Sequence, residues 1–212
     1  QLQAAMALPE PDLQEVARIA SSDVAMAATL LRNANSPLHA VGQPVQTVGQ
    51  AMNRLGLQQT AAVLTGFLAR HTIPVNHPHL QGFWAESAQR AAAMQFLASQ
   101  LPGMAPEVAH LYGLFCHVGI PVLMQSVRGY GGTLVEARAR LDRPFVVTEN
   151  ANHRTDHAVV GALVARAWHL PGSVMAAIRL HHDLGGLGNH GADPEVHSLV
   201  AACLLAEDLI RR

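Results

Sequence analysis

Lysine is missing from this 212-residue chain: all 14 basic residues are arginines, set against 15 acidic ones for a net charge of −1. Such a balance supplies no global field to attract DNA, RNA or an anionic membrane. The arginines stand singly from Arg18 to Arg179, and only Arg211 and Arg212 are adjacent, so no basic stripe emerges. Aromatic residues are scarce, at 4%. The two cysteines, Cys116 and Cys203, lie in apolar helical contexts, which fits reduced thiols in a cytoplasmic protein better than a disulfide framework. No signal-peptide pattern is visible, and no uninterrupted apolar run approaches the roughly 18 residues of a membrane span.

Half the residues are apolar, with alanine and leucine dominant. These are the strongest helix formers among apolar residues, so the composition favours packed helices over sheets. The length allows one good core and up to two subdomains. Thirteen histidines are a high count, and they make net charge acid-sensitive below about pH 6.5. Because the chain starts at Gln1 and stops on Arg211-Arg212 in mid-pattern, it is expected to be a piece of something longer.

Helices follow one another along the whole length. Pro11–Ala20 reads as the first, and Ser22 or Asp23 is placed to cap a second over Val24–Ala34. After a loop with Gly42 and Pro44, Thr47 caps a helix to Leu55 that Gly56 ends, and Gln58–Ala69 forms another. Residues 71–82, with Pro74, Pro78 and three histidines, read as an irregular junction. Phe83–Leu101 is a long helix. The next starts at Pro106, and Pro121 is expected to kink or split it after Gly119. Gly129, Gly131 and Gly132 make a turn, with Thr133 capping a short helix to Leu141. Residues 144–152 read as irregular, extended at Phe145–Val147. Asp156 caps His157–Trp168, Pro171 opens Gly172–His181, and Pro194–Ile210 closes the chain. The loop Gly185–Gly191 follows a helix and lacks a P-loop lysine, so it reads as a connection rather than a phosphate cradle. The expectation is an all-α fold: an N-terminal helical subdomain over residues 1–70, a junction over 71–82 and a helical bundle over 83–212.

Leu111–Gly119 places a thiol and an imidazole side by side in an apolar helix, at Cys116 and His117. His157 and the pair His181-His182 add ligands at wide spacing, which is how a helical bundle assembles an interior metal site. Adjacent helical residues point about 100° apart, so each pair is expected to contribute one ligand. Thiolate and imidazole suit a softer ion such as Zn²⁺, whereas Mg²⁺ and Mn²⁺ prefer oxygen. The plainer account makes Cys116 a small buried hydrophobe and His117 and His157 hydrogen-bonded core residues. In that account His181 and His182 end a helix, where imidazolium would favour the dipole.

Several stretches carry a family resemblance. They are Leu30-Leu-Arg-Asn-Ala-Asn-Ser-Pro37, Pro44-Val-Gln-Thr-Val-Gly-Gln-Ala51, Phe83-Trp-Ala-Glu-Ser87, Gly113-Leu-Phe-Cys-His-Val-Gly119, Asp156-His-Ala-Val-Val-Gly161, Trp168-His-Leu-Pro171 and Ala177-Ile-Arg-Leu-His-His182. In this order they resemble the HDOD family, and the match covers nearly the whole chain. The resemblance implies an HD-like helical bundle and a role as a module in bacterial signalling, related in fold to metal-dependent phosphohydrolases. In catalytic relatives a His-Asp doublet stands where this chain has Cys116-His117. Glu86 stands near the place of an earlier family histidine, and Glu207, beside Asp208, near that of a late aspartate. His157, His181 and His182 match family histidines, so the site is half retained.

The expectation is therefore a cytoplasmic signalling module without catalytic residues or a bound cofactor. It would act on partner proteins or fused regulatory domains, not on nucleic acid or membrane, with Cys116, His117, His157, His181 and His182 as vestigial metal candidates. The alternatives are a metal-dependent phosphohydrolase, a nucleotide or small-ligand sensor in the same pocket, and a single bound zinc or other divalent ion.

Overall fold

The computed structural model describes residues 12–22, 24–39, 42–73, 77–168, 170–183, 185 and 193–211. Among them every regular element is helical, and the chain divides into two compact units, residues 1–72 and 73–212. Expected features at Pro11, Asp23, Pro74 and most of Gly185–Gly191 lie outside the described residues.

The first unit contains α1 (Leu13–Ser22), α2 (Val24–Ala34) and α3 (Val48–Thr72). Their apolar faces meet in a core that includes Val16, Ala20, Leu30, Leu64 and Phe67. Asp12 caps α1 by accepting from the backbone N–H of Gln14 at 2.9 Å. Thr47 caps α3 through the N–H of Gln50, whose side chain in return accepts from the N–H groups of Gln46 and Thr47. That reciprocal arrangement satisfies donors that a helix start otherwise leaves orphaned. Gly56 does not end the helix; at φ 75° it kinks α3, which resumes and runs to Thr72. Asn35 shows what its motif is for. Its amide donates to the carbonyl of Val45 and accepts from that residue's N–H, at 2.9 and 2.8 Å, pinning the loop between α2 and α3.

The second unit is a bundle of α4 (Phe83–Gln100), α5 (Pro106–Phe115), α6 (Gly119–Ser126), α7 (Tyr130–Ala139), α8 (Phe145–His153), α9 (His157–Ala167), α10 (Gly172–Leu180) and α11 (Pro194–Arg211), preceded by a 3₁₀ turn at Pro78–Leu80. Three sequence expectations change here. The break between α5 and α6 falls before Gly119, at residues 116–118, where tight turns run from Val118 N to Phe115 O and from Ile120 N to His117 O. Pro121 therefore sits in the first turn of α6, where its missing N–H costs nothing. Tyr130, not Thr133, begins α7 after Gly129 in the left-handed region, and Thr133 lies buried inside that helix. Phe145–Val147 is helical, since Pro144 opens α8 and packing against α7 overrides the β preference of paired valines.

The stretch Pro106–Ser126 is long and apolar enough by length and composition to cross a membrane, with mean hydropathy 1.3, although Glu107, His110, His117 and Gln125 interrupt its apolar run. It is instead the centre of the bundle: 67% of its apolar window is buried, and it is broken between α5 and α6.

Helices α6 and α9 touch backbone to backbone. A Cβ at Gly119 would fall inside contact distance of the His157 carbonyl oxygen and 2.8 Å from the Gly161 nitrogen. Gly119→Ala is therefore expected to destabilise the protein by about 3 kcal/mol or more. Gly132, with open space around its Cβ position in α7, should gain about 0.5 kcal/mol as alanine. Urea unfolding of the two variants, giving midpoint shifts of opposite sign, checks this.

Candidate functional site

Four imidazoles meet at the centre of the bundle. His117 lies in the turn between α5 and α6, His157 is the first residue of α9, and His181 and His182 follow α10. One ligand atom from each lies within 4.8 Å of all the others. The local chain explains the placement. The left-handed Arg154, at φ 57°, ends α8, and two residues later Asp156 caps α9 by accepting from the N–H of Val159 at 2.8 Å. His157 thus starts its helix facing α8.

Glu149 in α8 is fully buried. One of its oxygens accepts from the Tyr130 hydroxyl. The other accepts from His157, through ring Nδ1 at 2.7 Å and backbone N at 3.3 Å. His181 Nδ1 donates to the carbonyl of Ile178 at 2.7 Å. In both rings Nδ1 is engaged, so in the neutral form the Nε2 lone pair faces the cluster. His157 Nε2 lies 3.2 Å from His181 Nε2 and 3.1 Å from His182 Nε2. His117 Nε2 donates to Glu207 at 2.9 Å, and the same carboxylate oxygen accepts from Arg90 at 3.1 Å.

Burial, reinforced by the neighbouring histidines, pushes His181 far below the ordinary imidazole range. Burial also lowers His182, to about 4, against the pull of Glu149, Glu207 and Asp156. The expected imidazolium at the end of α10 is replaced by neutral rings. Both members of the pair reach the cluster, contrary to the one-per-pair expectation, because the helix ends at Leu180 and residues 181–182 form a turn. Cys116 does not join them. Its thiol hydrogen-bonds Cys203, and this contact together with burial raises Cys203 far above the usual thiol range. Burial beside both thiols likewise raises Tyr112. A cavity of about 660 Å³ opens over the imidazoles, lined also by Glu86, Arg90, Arg138, Phe145 and Glu207.

Glu207 and Glu86, picked out by family position, both face this cavity. Glu149 and Tyr130 carried no usable signal, because the segment around Glu149 reads as irregular and no spacing ties either residue to His157.

The second unit defines an HD-like helical bundle. A candidate phosphohydrolase from Shewanella amazonensis SB2B superposes with a TM-score of 0.80 at 23% identity, over 100% of this chain and 75% of its own. A candidate signal transduction protein from Marinobacter aquaeolei VT8 gives 0.70 at 21% identity, over 99% of this chain and 47% of its own. More narrowly, the model of the HDOD domain matches residues 1–184, and the chain belongs to that family. An uncharacterised protein from Treponema pallidum (strain Nichols) is 25% identical over 186 residues. The match takes in 87% of this chain and 36% of that protein, so the chain spans about a third of its relative's length.

His181 and His182, kept neutral by burial, tie stability to pH. Each takes up a proton on unfolding below about pH 6.5, so stability falls as the pH drops, by at most about 1.4 kcal/mol per pH unit per residue. For His182 the fall continues until the folded ring titrates near 4. Urea unfolding of metal-free protein between pH 7.5 and 4.5 should show this decline, with a shallower slope for His182→Asn.

Proposed function

We propose that this chain is a signal-transduction module that acts through protein contacts and does not turn over phosphoesters. The observation that carries the reading is the identity and engagement of residue 117. Family-type hydrolysis uses the aspartate of the doublet to anchor hard cations, which activate water and offset charge on the phosphoryl group. Here that position is an imidazole, already held by Glu207 at 2.9 Å, and the preceding residue is turned into the core against Cys203. Glu149, the one fully buried carboxylate among the described residues, faces the outer side of the His157 ring. No carboxylate belongs to the cluster of potential ligands among the described residues.

The reading draws further support from the signal-transduction description of the Marinobacter neighbour and the response-regulator description of a Methylococcus capsulatus neighbour. The partners would be signalling proteins or regulatory domains joined to this one in a bacterial regulatory protein. Two free, buried thiols suit the reducing cytoplasm as its place of action.

Assay of the purified protein on bis(p-nitrophenyl) phosphate and on cyclic dinucleotides with Mn²⁺ or Mg²⁺ tests the reading. We expect no release of product above the metal-only blank. Turnover that disappears in His157→Ala would overturn it.

A further inference from the structure

The geometry points to a mononuclear site for a borderline divalent ion of the zinc class, bound by the Nε2 atoms of His157, His181 and His182 with His117 completing an all-imidazole set. This deepens the reading above, because a single ion without carboxylate ligands lacks the second cation of a two-metal attack.

The distances carry the inference. In their neutral forms, with Nδ1 protons committed to Glu149 and Ile178, His157 and His181 aim two lone pairs at each other across 3.2 Å, and His182 approaches the same His157 atom to 3.1 Å. Lone pairs repel at that separation unless a positive charge lies between them. One proton bridges one such pair, whereas a metal ion engages all of them. Tetrahedral zinc with bonds of 2.0–2.1 Å to nitrogen sets its ligand atoms about 3.3 Å apart, close to the 3.2 and 3.1 Å that separate His157 Nε2 from His181 and His182.

The surroundings repeat the pattern seen behind metal-bound histidine, in which the second ring nitrogen donates to a carboxylate or carbonyl that fixes tautomer and direction. Glu149 engages His157, the Ile178 carbonyl engages His181 and Glu207 engages His117. Tyr130 in turn fixes Glu149, making both outer-sphere positioning residues. The donor set also selects the ion. Imidazole nitrogen suits Zn²⁺, Ni²⁺, Cu²⁺ and Co²⁺, while Mg²⁺ and Ca²⁺ require oxygen. The 660 Å³ cavity over the cluster provides the route of entry.

The test uses the full chain, freed of metal with a chelator and lacking a histidine tag. Titration with Co²⁺ should give visible d–d bands that saturate at one equivalent, and Zn²⁺ should displace them and raise the Tm, while Mg²⁺ does neither. Glu149→Gln, which removes a charge and keeps the shape, should weaken Co²⁺ binding by about 10- to 100-fold. His157→Ala and His181→Ala should abolish the bands. The variant His77→Ala/His79→Ala, which removes a histidine pair outside the cluster, should leave them unchanged. No saturable bands, bands that persist in a folded His157→Ala protein, or bands lost only in the His77/His79 variant would overturn the site. Phosphoester turnover by the loaded protein would sink the non-catalytic reading and leave one-equivalent binding intact, so the two fail separately.

Discussion

The second unit depends on one approach of backbone to backbone. Gly119 lies against the carbonyl of His157, with Gly161 one turn further along α9. Because neither glycine carries a Cβ, α6 and α9 come closer than side chains would allow. The space beyond a Cβ at Gly161 is filled by Ile178 of α10, whose carbonyl then takes the ring proton of His181. The contact that joins three helices thus also sets the spacing of the histidines at their ends. Packing and site share one geometry.

Within that frame the polar residues are ordered by donor and acceptor. A fully buried carboxylate costs several kcal/mol unless its oxygens are met, and Glu149 meets three donors from Tyr130 and His157. That order is transmitted inward: a fixed acceptor determines which ring nitrogen keeps a proton, and so which one turns a lone pair on its neighbours. For His181 and His182 neutral rings follow from the burial.

The helical architecture was largely legible because its punctuation is local. Thr47 and Asp156 cap as their side chains suggest, prolines open α5, α8 and α10, and the apolar alanine–leucine runs leave little room for strands. Local signals failed where tertiary contacts decide. Two adjacent valines in α8 follow their packing partner, and the break in Leu111–Gly119 comes before the glycine because Gly119 is needed inside a helix contact. Among the site residues, the histidines and Glu207 could be placed by family position. Glu149 and Tyr130 could not, because their importance lies in contacts eight and nineteen residues away. The direction of Cys116 was equally hidden, since adjacent positions in an apolar helix look alike until one is known to face the core.

The short link between α8 and α9 has a consequence of its own. Surface connections generally tolerate added residues at small energetic cost. This one passes from the left-handed Arg154 through Thr155 to the capping Asp156, with Glu149 and His157 hydrogen-bonded across it. A single inserted residue would put the cap and the first imidazole of α9 out of register together. The segment is a spacer of fixed gauge, where an insertion would do more harm than most side-chain substitutions.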